Sequence, residues 1–529
     1  MHLKMKANIL IKLLLSFSFI ALFSCSGPEY DILILNGTVY DGSGSAPIET
    51  DIAIKGSMIV AMGDLDKATA TRIIEAKGLA VSPGFIDMHT HLEPIMELPS
   101  CESHVRQGVT TALGGPDGSS PWPLKSYMDS LEVKGIGMNV AYLIGHNTVR
   151  KNIMGLENRA PTEEELLDME AQIDSAMQEG AYGISTGLKY LPGAFSKVDE
   201  VIALSKVASK YGGIYTSHLR EEGLGLFDAV EEAIQISAKA DIPVVLTHHK
   251  AIGKPMWGES VRTLAMVDSS RAKGLDIKMD QYPYTASYTG ISVLIPSWSM
   301  AGGQEAFDER ATDPVLRDSI KNGIVFNILN DRGGSDLDRI QFAKVEWQPE
   351  LEGKTLKYWA EQKGLEPTVE NGADLVIEAQ LNGGASCVFH AMAEEDVTRI
   401  MQHPQTMIGS DGRLVEPGMG HPHPRWYGTF PRVLGHYVRE KKTLELSEAI
   451  RKMTSLPAQS LKLTDRGMLK EDMRADITIF DPETIIDKAT FEKPHQYPEG
   501  IDFVIVNGIF AVDNGEFHDV RSGMVLQKN

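Results

Sequence analysis

The stretch VSPGFIDMHTH, Val81 to His91, places two histidines one residue apart behind an apolar run. In a strand, residues i and i+2 share a face, so His89 and His91 would stand side by side with Thr90 turned away. Two neutral imidazoles on one face are half of a metal site. Other polar residues recur in the same setting, each at the end of a short apolar run: Asp117 in GGPDG, His218 in YTSHLRE, His248, His249 and Lys250 in LTHHK, and Asp411 in IGSDG. Taken singly, any of these histidines is equally well explained as a packed core residue. The four histidines His89, His91, His218 and His248 and two aspartates at like ends of five runs point instead to a metal centre. Imidazole and carboxylate suit Zn²⁺, which polarises a carbonyl and lowers the pKa of bound water to about 7. A free carboxylate beside that water can take its proton and pass it to a leaving nitrogen, and Asp411 is the natural choice. His249 should point away from the site, since its neighbour His248 points in. Nothing in the chain resembles a serine nucleophile elbow or a glycine-rich phosphate loop.

The elements that would carry these residues alternate between strand-like and helix-like segments. Eight strand candidates are found: AVSPGFIDMH, VTTALGG, MNVAYLIG, AYGIST, GIYTS, IPVVLT, LDIKMD and QTMIGS. Most are spaced near the ~30 residues of a strand–helix–strand unit. The clearest helix begins at Thr162, which forms a capping box with Glu165; Leu166, Met169, Ile173 and Met177 keep the helical period as far as Gly180. Eight such units predict an α/β fold, a (β/α)8 TIM-type barrel, whose chemistry sits at the C-terminal ends of its strands. The gap before the last strand, roughly residues 289–404, is far longer than the others and is expected to be an insertion at the barrel mouth. Residues 30–80 and 462–529 are both rich in short strands and Asn-Gly or Asp-Gly turns, which predicts one small β-domain built from both chain ends, with the barrel over 81–461.

The chain has 529 residues, enough for more than one ordinary domain, and a formal net charge of −21, which argues against nucleic acid or an anionic membrane surface as a main partner. The first 25 residues have the layout of an export signal: Lys4 and Lys6, the apolar stretch ILIKLLLSFSFIALF, then Ser24 before Cys25. A cysteine after a small residue resembles the lipobox of bacterial lipoproteins, which implies cleavage before Cys25, a lipid on its thiol, and attachment to a periplasm-facing or cell-surface membrane by that anchor alone. Cys101 and Cys387 are too few and too far apart for a disulfide framework and are expected to be packed, inert thiols.

The motifs PGFIDMHTH, QGVTTALGG, GISTGLKYLPG, YTSHLRE, THHK, YPYTAS, IGSDG, HPRWYGTFPRVLGHYVRE, MTSLPAQ and ADITIFDP together resemble the amidohydrolase superfamily and, within it, the D-aminoacylase (N-acyl-D-amino-acid deacylase) family. The similarity runs from about residue 30 to the end. It implies a hydrolase with one or two zinc ions acting on the amide of an N-acyl-D-amino acid or of a short peptide ending in a D-residue. By resemblance the metal-binding histidines are His89, His91, His218 and His248, the general base is Asp411, and the substrate carboxylate meets Lys250, Tyr282 and Arg425. Two departures stand out. The family commonly carries a cysteine thiolate where this chain has Asp117 in GPDG, and a family serine aligns with Tyr288, which would reshape the substrate pocket. A carboxylate also ligates zinc, so Asp117 is expected as a direct ligand shared with or close to the site of His218 and His248, admitting Mn²⁺ or Co²⁺ more readily than a thiolate would. The competing expectation is that GPDG is only a turn, with Asp117 bonding its own backbone. Two other functions stay open: a cyclic-amide hydrolase of the hydantoinase or dihydroorotase type with a lysine carbamate, for which Lys189 is the nearest lysine, and a non-catalytic solute-binding lipoprotein.

Overall fold

The structure, a computed structural model, describes residues 28–528. The expected export signal and Cys25 therefore lie outside the described residues. At the centre is a closed parallel barrel whose strands are Phe85–Asp87, Val109–Gly114, Asn139–Gly145, Gly183–Gly187, Ile214–His218, Val244–Leu246, Ile277–Gln281 and Thr406–Ile408. All eight coincide with the eight predicted runs, three of them running one residue further, to Gly187, His218 and Gln281. The third strand is broken at Leu143: its first half pairs with Val109–Gly114 and its second with Gly183–Gly187. Closure runs through the segments after the first and last strands, where Gly412 and Arg413 pair with Thr90 and His91. Asp87 reinforces the seam by accepting from the Ser410 backbone N–H at 2.8 Å and from its hydroxyl.

The flanking helices bury one face each against the barrel. Glu163–Gln178 starts with the reciprocal Thr162–Glu165 capping box and buries Met169, Ile173 and Met177. Gly180, with φ +102°, turns the chain away after the helix. The two chain ends share one core: Ile34, Ile54 and Val81 pack with Ile477, Ile479, Phe503 and Ile505. Ala80–Pro83 lies between strands from both ends in a seven-stranded sheet. This β-domain is pinned to the barrel by buried polar contacts. Asn139 donates to Asp476 at 3.0 Å, and the Thr478 hydroxyl donates to the Gly108 carbonyl at 2.8 Å.

The segment after Gln281 leaves the barrel and builds its own core around Phe307, Ile324, Phe342, Trp359 and Phe389. Its three antiparallel strands, Ser287–Gly290, Ser386–Phe389 and Ile340–Lys344, stand over the barrel mouth. The insertion ends sooner than the sequence suggests. Glu394–Gln402 packs on Ser260–Ala272 and on the last strand, so it is a barrel helix rather than part of the 289–404 excursion. Cys101 and Cys387 are buried free thiols, and burial pushes the Cys101 thiol up to about 12. Both fit the inert role expected of them.

Candidate metal centre and active site

The strand ends bring the predicted residues to one place. His89 is fully buried and His91 is partly open to solvent. The Nε2 atoms of both face Asp117, at 3.5 and 3.7 Å, and Asp411, at 3.7 and 3.3 Å. From the other side, His218 Nδ1 lies 3.8 Å and His248 Nε2 3.5 Å from Asp117, and the two ring nitrogens are 2.7 Å apart. Ligands at 2.0–2.2 Å from one tetrahedral ion are separated by roughly 3.4 Å. The 3.3–3.8 Å spacings are therefore those of donors that converge on a cation, while His218 and His248 lie at hydrogen-bond distance from each other. The donors form two groups, His89–His91–Asp117–Asp411 and Asp117–His218–His248, with Asp117 common to both.

These donors fit a metal on a second ground. Both ring nitrogens of His89, Oδ1 of Asp117 and Nε2 of His218 are buried without a hydrogen-bond partner among the described residues. Leaving such groups unpaired costs about 1–3 kcal/mol each, a cost that a divalent cation offsets. Asp117 does not serve its own turn. The GPDG backbone is held instead by Ser185, whose hydroxyl accepts from Gly118 N–H at 3.1 Å and donates to the Gly115 carbonyl at 2.6 Å. Asp117, His248 and Asp411 all adopt positive φ, at 52°, 38° and 47°. Non-glycine residues are seldom held there, and such strain concentrates where geometry serves a function. Asp280 helps to fix the arrangement: it accepts from His248 N–H at 2.7 Å and lies 3.9 Å from His89 Nδ1.

The charged groups are tightly matched. Burial alone would push the Asp411 carboxyl up, but Arg425, 3.0 Å away, together with His89, His91 and His248 outweighs it and holds Asp411 below the usual carboxylate range. Asp117 behaves likewise: burial opposes ionisation, and His89 and His248 overcome it. Lys250 turns inward, 2.5 Å from Glu222 and 2.7 Å from His248 Nδ1. Glu222 was not expected. Its neighbour Glu221, the last residue of the SHLRE motif, pairs with Lys189 at 2.8 Å. The position of Glu222 four residues after His218 was the available signal, since it also lies 3.9 Å from His218 Nε2. Lys189 is held by both Glu221 oxygens, at 2.8 and 3.0 Å, and does not line the cavity onto which the donors open, so nothing supports the carbamate that a cyclic-amide hydrolase of that type would need. His249 points outward as expected, its Nε2 2.9 Å from the Thr263 hydroxyl.

The donors open onto a cavity of about 250 Å³ lined also by Lys250, Tyr288 and Arg425. Tyr282 does not line it. It stands behind the wall, its ring 4.6 Å from the Arg425 guanidinium and 5.6 Å from the Lys250 ammonium, and its buried hydroxyl has no partner among the described residues. Tyr282 thus supports the two cations as a ring face. Tyr288, from the insertion, packs edge-on against Trp426 at 5.0 Å. It lines both this cavity and an adjoining cleft of about 1220 Å³.

Known proteins share this architecture. Residues 72–311 and 361–512 match the profile of the amidohydrolase family. An N-acyl-D-glutamate deacylase of Alcaligenes xylosoxydans xylosoxydans is 36% identical over 95% of this chain and 97% of its own. A D-aminoacylase of the same organism is 34% identical over 94% of this chain and 98% of its own. The solved N-acyl-D-glutamate deacylase from Bordetella bronchiseptica, complexed with zinc and a phosphonate inhibitor that mimics the tetrahedral intermediate, superposes with a TM-score of 0.79 at 32% identity, covering 94% of this chain and 99% of that one.

Proposed function

The chain belongs to the amidohydrolase family, and from that membership we propose that it is a zinc-dependent deacylase of N-acyl-D-amino acids, including short peptides that end in a D-residue. One observation carries the reading: a single carboxylate, Asp117, joins two histidine pairs while Asp411 and two buried cations face the same cavity. Zinc held by His89, His91, Asp117, His218 and His248 supplies polarisation of the amide carbonyl, stabilisation of the oxyanion and a lowered pKa for the attacking water. The chain's own residues do the rest. Asp411 takes the proton of the attacking water and delivers it to the leaving nitrogen. Lys250 and Arg425 receive the substrate carboxylate by charge-assisted hydrogen bonds, which fixes the amide over the donors.

The test is a panel of N-acyl-D-amino acids, their L-forms, L,D-dipeptides and hydantoins, assayed with zinc-loaded and chelated protein. Turnover of the D-compounds that chelation abolishes is the expected result. Turnover confined to hydantoins, or none in any metal-loaded sample, defeats the reading.

The clamp gives its own prediction. Lys250→Ala should lose ~1.5–3 kcal/mol of interaction with a free carboxylate, roughly ten- to a hundredfold in kcat/KM. Arg425→Ala should lose as much and lower kcat as well, because Asp411 then lacks its partner. Kinetics on each substrate and its carboxamide separate the two effects; equal losses on both forms by Lys250→Ala would remove the clamp.

We further propose that the protein is exported as a lipoprotein processed before Cys25, on the strength of Lys4, Lys6, the apolar run and Ser24. Among the described residues no helix is long and apolar enough to cross a membrane; the lipid on Cys25 is the attachment proposed. Cys25→Ala should shift the protein out of the membrane fraction with its activity kept; unchanged partitioning excludes the anchor.

A further inference from the structure

Charge pairing in the active-site cavity has one exception. Asp411 is matched by Arg425, Glu222 by Lys250, and Glu93 by His91 at 3.3 Å and Arg413 at 3.9 Å. Asp117 is surrounded by the histidines. Arg332 lines the same cavity, is only 3% exposed, and has no carboxylate within 4.0 Å among the described residues. Its one hydrogen bond is a long one, 3.5 Å to the Ser287 hydroxyl, and its guanidinium lies 5.3 Å from the Phe389 ring centroid. Neighbouring Asp331 does not reach it, and burial pushes that carboxyl up. A buried guanidinium without a counter-charge is costly. The C-terminal end of Pro314–Asp331, which Arg332 directly follows, eases that cost only in part.

We propose that Arg332 and Ser287 form a second anion subsite, so that the preferred substrates carry another carboxylate besides the one taken by Lys250 and Arg425. The guanidinium fork is donor-only, and the adjacent Ser287 hydroxyl, which accepts from it, keeps its own O–H free to donate to an anion. Both residues come from the insertion, at the end of its long helix and on its first strand. The subsite is thus supplied by the segment that the barrel does not need for closure. This proposal rests on the deacylase reading for its substrates. The chemistry fits a second carboxylate on the amino-acid side chain or on the acyl group, and the two sources are separable.

The experiment compares N-acetyl-D-glutamate, N-acetyl-D-aspartate and N-succinyl-D-leucine with N-acetyl-D-leucine, using zinc-loaded wild type, Arg332→Met and Arg332→Lys. Wild type should favour at least one dicarboxylate. Arg332→Met should cut the dicarboxylate-to-leucine ratio of kcat/KM roughly ten- to a hundredfold, and Arg332→Lys should keep part of it. Preference for the glutamate or aspartate compound locates the second carboxylate on the side chain; preference for the succinyl compound locates it on the acyl group. No dicarboxylate preference in wild type, or an equal loss on all four substrates in Arg332→Met, overturns the proposal. Calorimetric titration with glutarate and butyrate reads the subsite without turnover. Tighter glutarate binding that Arg332→Met abolishes upholds it even if no substrate is cleaved, an outcome that would sink the deacylase reading alone. Equal binding of the two acids refutes the subsite.

Discussion

Asp411→Asn is expected to fold, to hold its metal nearly as wild type does, and to lose ~10²–10⁴-fold in kcat. The substitution keeps the shape of the side chain and the positive φ of 47° that asparagine tolerates well. It removes the one function an amide cannot perform, accepting a proton. Asp411 Oδ1 lies 3.3 Å from His91 Nε2 and 3.0 Å from Arg425, at the edge of the first donor group rather than between the two groups. Metal retention should therefore depend on it far less than turnover does. Metal analysis of the purified variant beside steady-state kinetics decides the matter. Near-wild-type kcat would remove Asp411 from proton transfer, and a large loss of metal would recast it as a ligand first and a base second.

Asp117→Ala should produce the other large effect, and of a different kind. Both donor groups share this carboxylate, so its loss leaves two histidines on one side and His89, His91 and Asp411 on the other. Residues that merely orient metal ligands cost about 10–100-fold in affinity when removed, and a shared direct ligand should exceed that. Metal content and activity should fall together, and added zinc should restore only part of the activity. Asp117→Cys is the informative companion, because a thiolate binds zinc at about 2.3 Å and should recover metal where alanine does not. The carboxylate should also let Mn²⁺ or Co²⁺ support wild-type activity better than the cysteine variant. Full metal occupancy in Asp117→Ala would return GPDG to the status of a simple turn.

The part of this protein legible from sequence is the part encoded locally. Each barrel strand is a short apolar run with its polar residues at one end, so all eight strands and the strand-end positions of His89, His91, Asp117, His218, His248 and Asp411 follow from pattern alone. The Thr162–Glu165 cap is likewise written within four residues. Meetings across long separations are not. That Asp117 stands between two histidine pairs, instead of bonding its own turn, depends on how the barrel closes. Nothing in the local pattern around Glu222, beyond its place four residues after His218, marks it as the acid that packing buries against Lys250. Tyr282 sits behind the cavity wall because the rings and cations around it stack in that order. Arg332 reaches the cavity only because the insertion folds on a core of its own and returns a helix end to the barrel mouth. Period and turn chemistry specify which face a residue occupies. Which partner it finds there is set by the packing of elements tens to hundreds of residues apart, and that the tertiary structure alone decides.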